Sequence, residues 1–290
     1  MTAGTLYVVA TPIGNLADMT PRAIDTLREA GMAAAEDTRR SRALFTHFQI
    51  KTPLYSCHAH NEEKKGDFFI RALREGKDVA LISDAGTPCI SDPGHHLIRT
   101  AADAGINVVP VCGASAVVSA LSVSGFDASR FAFVGFWPRN KKEQETAWRD
   151  IRDFNGAVVF YESPMRIIKT LSFMQNADPA MQICLCNDLS KKFERTYRGT
   201  PAEIIAQLTD NPDARKGEYT CVFTLSQIET KLNIENICQT EAISMEAQLV
   251  DLMVKENCDI KTAAALLHTL PPKKSKKEIY AAMLRVKDLI

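Results

Sequence analysis

Apolar and polar positions along the chain follow two periods. Short runs of β-branched and other apolar residues alternate with amphipathic segments of helical period through the first 111 residues. This alternation predicts parallel strands covered by helices, with helix ends at Gly76 and Gly105. The predicted strands cover 5–10, 33–36, 78–83 and 107–111, and the predicted helices cover 21–30, 39–48, 62–75 and 93–104.

The alternation continues after a chain crossing at 111–115, where Ser115 is placed to cap the next helix. The pattern predicts a second α/β domain with more antiparallel pairing, and so domains at 1–113 and 114–228. Its predicted strands cover 131–136, 157–162, 182–187 and 218–225, and its predicted helices cover 114–124, 141–153, 164–175 and 201–208.

The tail, 229–290, has a different pattern. A polar stretch at 229–241 predicts a linker, and helical periodicity follows at 245–256, 260–270 and 276–289. Two interpretations carry equal weight: a packing or dimerisation element, or a helix-turn-helix that binds phosphates through lysines. Those lysines are Lys273, Lys274, Lys276 and Lys277.

Composition narrows the class of protein. A chain of 290 residues with 46% hydrophobic residues favours two modest globular domains. Its apolar runs are too short to span a bilayer and its N-terminus does not resemble a secretory signal, so we expect a cytoplasmic protein. The net charge is zero, so a basic surface for nucleic acid would have to be local.

The cysteines lack metal-site spacing, which predicts buried thiols and no metal. Cys184 and Cys186 should share one strand face.

Three loops each follow a predicted strand of the first domain. They are ATPIGN at 10–15, SDAGTP at 83–88 and VCGASA at 111–116. Open α/β sheets bind ligands at the carboxyl ends of their strands, so three such loops predict one shared site. Gly14, Gly86 and Gly113 would let the backbone approach a ligand closely.

Asp84 is the most informative residue of these loops. Its carboxylate suits an amine or a ribose and repels a phosphate, although an isolated Asp before a glycine is more often a turn cap. The chain has no GxGxxG, no phosphate-binding GxxxxGK[ST] and no GxSxG, so dinucleotide, P-loop and hydrolase sites are not indicated.

The segment AEDTRRS at 35–41 places Glu36 and Asp37 after a short strand and Arg39 and Arg40 at the start of a helix. Acids and bases at a strand end suit catalysis or RNA contact. On composition alone, a capped helix with surface ion pairs is the better interpretation.

Five segments together resemble the ribosomal RNA small subunit methyltransferase I family, within the tetrapyrrole methylase superfamily. They are LYVVATPIGNLADMTPRAIDTL, AAEDTR, LISDAGTPCISDPGHHLI, VVFYESPMRI and KGEYTCVF. The resemblance implies a two-domain tetrapyrrole methylase-like α/β fold, here with a small helical C-terminal appendage, and a homodimer. It also implies S-adenosylmethionine as cofactor and 2'-O-methylation of a cytidine in 16S rRNA of the small ribosomal subunit.

The resemblance also implies cofactor contacts, carried over residue by residue. They come from the three loops and from the second domain: Pro12, Asp84, Thr87, Ser115, Ala116, Tyr161 and Leu189. Two segments depart from the family pattern. Gly113-Ala114-Ser115 replaces Gly-Pro-Ser, and Asn187-Asp188 replaces an Arg-Glu pair, which removes a positively charged arginine.

We expect in-line methyl transfer to a ribose 2'-oxygen, assisted by a base and by a cation that stabilises the alkoxide. The candidate bases are Glu36 and Asp37, and the candidate cations are Arg39 and Lys191. Two rivals are a same-fold enzyme acting on a tetrapyrrole or translation factor, and a non-catalytic RNA-binding paralogue. A cleft rimmed by cations would favour RNA over a macrocycle; the candidates are Arg39, Arg40, Arg42, Lys141 and Lys142.

Overall fold

The computed structural model describes residues 2–58, 62–226, 244–255, 258–269 and 275–287. The chain divides into two compact units, Met1–Ser226 and Gln227–Ile290. The first unit contains two five-stranded sheets. The predicted boundary between residues 113 and 114 therefore falls inside one unit, and it stays a prediction.

The first sheet is parallel throughout, in the order β3-β2-β4-β1-β5. Its strands are β1 (Leu6–Val9), β2 (Met32–Ala35), β3 (Leu54–Ser56), β4 (Val79–Ile82) and β5 (Val108–Val111). The helices between them are α1 (Pro21–Glu29), α2 (Thr38–His47), α3 (Glu62–Arg74) and α4 (His95–Asp103). Because β1 lies between β4 and β5, the loops that leave these three strands start side by side.

Helices cover both faces of this sheet. Leu6 and Leu81 pack against Phe69 of α3 and Leu97 of α4, within one hydrophobic cluster. Alternate strand residues such as Val9 and Ile82 pack on the other face, against Leu27 of α1 and Phe45 of α2. Strands buried on both faces are continuous apolar runs, which is why they were predictable from the sequence.

The second sheet is mixed, in the order β6-β7-β10-β8-β9, with only β6 and β7 parallel. Its strands are β6 (Phe131–Phe136), β7 (Ala157–Glu162), β8 (Gln182–Asn187), β9 (Arg195–Gly199) and β10 (Tyr219–Thr224). Its helices are α5 (Ala116–Ser124), α6 (Lys141–Ile151), α7 (Ile167–Ala177) and α8 (Pro201–Thr209). The predicted antiparallel pairing is confirmed.

The two faces of the second sheet have different neighbours. Helices α6, α7 and α8 pack on one face. Helix α5 packs on the other through Val117 and Leu121, in the cluster that includes Cys184 and Cys186. The prediction that these two cysteines share a face is therefore confirmed, and Ser115 caps α5 as predicted by accepting from the Val118 amide at 3.5 Å.

A β-bulge in β6 turns one aromatic side chain. Phe133 pairs with Val159 and Phe136 with Tyr161, so three residues of β6 span two of β7, and Gly135 has a φ of +71°. The extra residue places Phe136 on the same face as Phe133 and Tyr161, where strict alternation would put it on the opposite face. The ring centroids of Phe133 and Phe136 lie 4.9 and 5.5 Å from that of Tyr161. We call these three residues the aromatic row.

Two strands and one helix start differ most from the sequence predictions, and the other bounds shift by at most two residues. Strands β3 and β9 were not predicted, because β3 has three residues and β9 carries Arg195 and Arg198. The predicted helix at 164–175 begins three residues late, at Ile167, because the Arg166 amide closes a turn on the Ser163 carbonyl oxygen.

The second unit consists, in its described part, of three helices. They are α9 (Met245–Lys255), α10 (Ile260–Thr269) and α11 (Lys276–Lys287), close to the three predicted segments. Leu249, Leu267 and Ile279 form the centre of their shared core. Lys276 and Lys277 are exposed at the start of α11, whereas Lys273, Lys274 and the predicted linker at 229–241 lie outside the described residues. No helix in the described ranges is long and apolar enough to cross a membrane.

Candidate active site

The three strand-end loops of the first sheet lie against one another, as their positions predicted. The Thr11 amide donates to the Gly86 carbonyl oxygen at 2.9 Å, and the Gly86 amide donates back to Thr11 at 3.0 Å. The Thr87 hydroxyl donates to the Ala114 carbonyl oxygen at 3.2 Å. These bonds join the first loop to the second and the second to the third.

Packing between loops explains two of the loop glycines. A Cβ on Gly113 would lie 2.9 Å from the Ala10 Cβ, and one on Gly86 would lie 3.2 Å from Ile13 Cγ2, at a φ of +77°. We predicted that these glycines let the backbone approach a ligand. In the structure they let neighbouring loops approach one another. Gly113 therefore fixes the close approach of β1 and β5 without the proline that the family pattern places beside it.

Asp84 is held by the segment that follows β2. It accepts from the Asp37 amide at 3.1 Å and from Arg40 Nη1 at 3.0 Å, and its side chain is 22% exposed. Asp84 does not act as the expected turn cap, because its two donors are the Asp37 amide and the side chain of Arg40 in α2. Arg40 thus neutralises much of the charge that Asp84 would present to the cleft.

Glu36 and Asp92 are half-buried acids beside Asp84. Burial, then the charges of Asp84 and Asp92, raise the pKa of Glu36. Burial and the charge of Asp84 raise the pKa of Asp92 against the effect of a hydrogen bond with Ser83. The sequence analysis did not identify Asp92; its only signal was its place in SDPG, eight residues after Asp84. Acids whose charged form is disfavoured bind a proton more readily than ordinary carboxyls.

Asp37 and Arg39 serve the start of α2. Asp37 caps the helix by accepting from the Arg39 amide at 2.8 Å, and it also pairs with the Arg39 guanidinium at 2.8 Å. Hydrogen bonds from the Arg39 side chain and amide lower the pKa of Asp37 to about 2. The structure thus shows for this pair the capped helix and surface ion pair favoured by composition, and Asp37 is a weak base at neutral pH.

Lys191 connects the second sheet to the first loop. Its ammonium lies 2.8 Å from both Asp188 Oδ1 and Glu218 Oε2. A Cβ on Gly14 would lie 2.4 Å from Lys191 Cγ, so the lysine stem lies directly over that glycine. Burial lowers the pKa of Lys191, but the two carboxylates outweigh burial and raise it, so the side chain stays cationic.

The segment Asn187–Asp188, which departs from the family pattern, holds the loop that carries Lys191. Asn187 is buried, and its Nδ2 donates to the carbonyl oxygens of Lys216 and Glu218 at 3.3 and 3.4 Å. Asp188 has a φ of +52° and accepts from Lys191 and from the Glu218 amide. The two residues have defined structural roles here, and Lys191 supplies a cation at this loop.

Tyr161, Glu162 and Leu189 come from the second sheet. Tyr161 lies in the aromatic row, and burial, then the charge of Asp92, raise its pKa to about 12. Glu162 is 1% exposed and pairs with Arg166 at 2.7 Å. It also accepts from the Ser163 amide, but α7 begins at Ile167 with no side-chain cap, so Glu162 is a buried structural acid.

Two cavities adjoin the first loop. The larger, about 630 Å³, contains Leu189 of the predicted cofactor residues, and the smaller, about 250 Å³, contains Pro12 and Asp84. Thr87, Ser115, Ala116 and Tyr161 are not among the lining residues of either. The larger cavity has the size of a small-molecule site. It is lined by Ile13, Asp18, Thr20, Cys112, Gly113, Ala114, Ser119, Ser122, Val123, Leu189, Ser190 and Glu194.

The charges around the larger cavity favour a cationic ligand. Asp18 and Glu194 line it, and its lining set contains no lysine or arginine. A phosphate would meet two carboxylates there, whereas a sulfonium or an ammonium group would be stabilised. Ser190, whose buried Oγ has no hydrogen-bond partner among the described residues, belongs to the same lining. In the described ranges no group of three metal-ligating side chains is found.

Comparison with known proteins identifies the family. Residues 5–205 match the family model of the Tetrapyrrole (Corrin/Porphyrin) Methylases. The ribosomal RNA small subunit methyltransferase I of Pseudomonas aeruginosa is 44% identical over 268 residues, 92% of each chain. The chain belongs to the ribosomal RNA small subunit methyltransferase I family. It is therefore a methyltransferase that uses S-adenosylmethionine.

Solved structures confirm the methyltransferase fold. A diphthine synthase covers 77% of this methyltransferase and 90% of its own chain, with a TM-score of 0.60 at 15% identity. The uroporphyrin-III C-methyltransferase of Thermus thermophilus, solved with S-adenosylhomocysteine, covers 76% and 97%, with a TM-score of 0.53 at 18% identity. At these identities the likeness establishes the tetrapyrrole methylase fold and no acceptor.

Proposed function

We propose that this methyltransferase transfers a methyl group to the ribose 2'-oxygen of a cytidine in 16S rRNA of the small ribosomal subunit. The observation that carries the proposal is the junction of the three strand-end loops with the Lys191 segment, in a chain 44% identical to a ribosomal RNA methyltransferase. The relative's name supplies the small-subunit rRNA. The family resemblance supplies the cytidine and the 2'-oxygen.

The residues present suit S-adenosylmethionine, which supplies a methyl group activated by a sulfonium. We assign cofactor contact to Pro12, Asp84, Thr87, Ser115, Ala116, Tyr161 and Leu189. Leu189 lines the acid-bearing cavity that favours a cation, and Asp84 offers a carboxylate at the end of β4. Tyr161, with a pKa of about 12, offers a neutral hydroxyl and a ring face.

On the acceptor side we assign proton removal to Glu36. Of the two predicted bases it has the raised pKa, while the Arg39 pair keeps Asp37 a weak base. The proton of the ribose hydroxyl passes to the Glu36 carboxylate as the oxygen gains the methyl group. Lys191 is the better candidate to stabilise the alkoxide, because its stem packs over Gly14 of the first loop and its side chain is 33% exposed, whereas Arg39 is 90% exposed.

A polynucleotide acceptor fits the exposed cations. Arg39, Arg40 and Arg42 are exposed on α2, and Lys141 and Lys142 on α6, although the chain as a whole carries no net charge. A local basic surface is what phosphate contact requires. We further propose a cytoplasmic homodimer; exposed Val118 and Val123 of α5 and Phe193 supply apolar area for its interface.

The test is methylation mapping of 16S rRNA in a strain that lacks this chain. We expect the loss of one 2'-O-methyl cytidine, restored by the wild-type chain. An unchanged set of ribose marks refutes the proposal. A chain that binds S-adenosylmethionine but transfers no label to 16S rRNA or small subunits would instead be the non-catalytic paralogue, and label on a macrocycle would identify the tetrapyrrole enzyme.

A further inference from the structure

The aromatic row ends in an exposed ring at the end of β6. Phe136 is 63% exposed, although its neighbour Trp137 is 1% exposed. Met165, 73% exposed, follows β7 at the same edge of the sheet. The bulge glycine, Gly135, approaches the first sheet, because a Cβ there would lie 3.4 Å from Ser91 Oγ. Phe136 therefore adjoins the loop that carries Asp92.

The backbone beneath Phe136 is fixed. The Trp137 amide donates to the Tyr161 carbonyl oxygen at 3.0 Å, and Arg166 Nη2 donates to the Trp137 carbonyl oxygen. Glu162, almost completely buried, orients Arg166 through a bidentate pair at 2.8 and 2.7 Å. An exposed ring on a fixed backbone loses little entropy when it binds a flat partner.

Cations follow the ring directly in the chain. Arg139, Lys141 and Lys142 are exposed within six residues of Phe136, around the first turn of α6, which also carries the exposed Glu143. Lys141 has a weak pair with Glu145 at 3.7 Å, and no ion pair of Arg139 or Lys142 occurs among the described residues. A flat apolar face beside cations matches a single-stranded nucleic acid, whose bases stack while its phosphates pair.

A second copy of the chain fits this face less well. In a two-fold symmetric dimer each residue near the axis meets its own counterpart, so a dimer centred on Phe136 would bring two sets of Arg139, Lys141 and Lys142 together. Like charges at an interface oppose association. The charge pattern therefore favours an anionic polymer as occupant.

We propose that Phe136 is a base-stacking platform for the acceptor RNA, with Arg139 and Lys142 contacting the adjoining phosphates. The proposal rests on the proposed function and specifies its substrate site. A nucleotide must leave its helix to stack its base on this ring. The ring then selects unpaired nucleotides of any base, because stacking reads no hydrogen-bond pattern.

The experiment measures binding of a fluorescein-labelled, short single-stranded RNA that contains cytidine, by anisotropy with the full chain. The variant is Phe136→Ala. Its matched control is Phe131→Ala, at the other end of β6 and 47% exposed. We expect Phe136→Ala to weaken binding about tenfold or more, Phe131→Ala to leave it unchanged, and Phe136→Trp to retain it.

A second arm separates stacking from general damage. An RNA with one abasic site at the stacked position should bind the wild-type chain as weakly as the intact RNA binds Phe136→Ala, and combining both changes should cost nothing more. Arg139→Ala and Lys142→Ala should each reduce the slope of log Kd against log salt by about one. Affinity for S-adenosylmethionine should be unchanged in all these variants.

Three results would overturn the platform. One is equal RNA affinity of Phe136→Ala and Phe131→Ala, and another is full additivity with the abasic site. The third is a loss of dimer mass in Phe136→Ala alone, measured by sedimentation, which would assign the face to a second copy. If the wild-type chain neither binds nor methylates RNA, the proposed function fails as well. If only the platform is wrong, the wild-type chain still binds and methylates RNA, so the two failures are distinguishable.

Discussion

Glu36 and Asp37 are adjacent acids with opposite electrostatic surroundings. Asp37 faces the guanidinium and amide of Arg39, which lower its pKa to about 2. Glu36 lies one residue nearer to β2, where burial and two other carboxylates raise its pKa. A single step along the chain thus separates a helix cap from a group able to accept a proton during catalysis.

The first prediction concerns Glu36→Gln. Methyl transfer by the wild-type chain should fall as pH drops through the raised pKa of Glu36, because only the carboxylate accepts a proton. The variant should lose about 100-fold or more in kcat together with this acidic limb. Asp37→Asn is the matched control and should keep the limb. Wild-type turnover by Glu36→Gln would remove Glu36 from the role of base.

The same variant should change stability with the opposite sign. A raised pKa means that the folded state binds the proton more tightly than the unfolded state, so the ionised group destabilises the fold at pH values above the folded-state pKa. Glu36→Gln should therefore raise Tm at pH 7. It should give no gain below about pH 4, where the wild-type group is protonated in both states. Calorimetry at the two pH values measures the difference.

The second prediction concerns Gly217→Ala. A Cβ there would lie 2.2 Å from Asp188 Oδ2, at a φ of +81°. Asp188 would have to leave Lys191 and the Glu218 amide, at a cost of about 1–3 kcal/mol beyond the backbone strain. Gly105→Ala is the control, because its φ is +70° and no atom lies within 4 Å of the added Cβ. Equal unfolding free energies for the two variants would contradict the clash.

The sequence predicted which loops come together better than it predicted which side chains contact one another. Parallel-strand geometry was enough to bring Thr11, Gly86 and Ala114 together. The pairing of Asp84 with Arg40 could not be predicted, because it joins loops 44 residues apart through side-chain conformations. The pairing of Lys191 with Glu218 could not be predicted either, because β9 and α8 separate the two residues along the chain.

The end of β7 and the start of α7 depend on one buried ion pair. We predict that Arg166→Met destabilises the first unit by about 3–5 kcal/mol, because it leaves Glu162 charged and 1% exposed. The double variant Glu162→Gln, Arg166→Met removes the charge as well and should recover part of the loss. Urea unfolding measures both. A double variant no more stable than the single variant would indicate that packing, and not the uncompensated charge, dominates.

Elements with a buried face were predictable, and elements held by their neighbours were not. Strands β6, β7 and β8 agree with their predicted bounds at both ends, and Arg130, Gly156 and Asp188 adjoin them as polar or turn residues. Strand β9 has an exposed, arginine-bearing sequence, and its extended form comes from pairing with β8 along five residues. The bulge in β6 was also unpredicted, because a single glycine in a strand does not reveal which face follows it.

The whole molecule consists of two units of unequal size, and the smaller has a small core. We predict that Leu249→Ala, at a fully buried position, costs the second unit about 2–5 kcal/mol. A unit of this size would then unfold separately, while the first unit keeps its Tm. Val250→Ala, one residue on and 43% exposed, is the control. A single cooperative transition in both variants would show that the units unfold together.

Activity of the Leu249→Ala protein separates the two interpretations of the tail. If methyl transfer to small subunits persists while sedimentation shows a smaller mass, the tail serves dimerisation. If mass persists and RNA affinity falls with a shallower salt dependence, its exposed lysines contact phosphates.

The extra residue in β6 sets which face of the second sheet carries the Phe136 ring. Straightening the bulge with all residues kept would turn the ring toward α6, α7 and α8, whereas deleting one residue between Phe133 and Phe136 would leave two steps of β6 against two of β7 and keep the ring on its present face. The three strand-end loops follow strands of the first sheet and would keep their geometry. The direction of this ring is therefore set by the backbone of β6, and changing it requires a design that alters the bulge as well as the side-chain types.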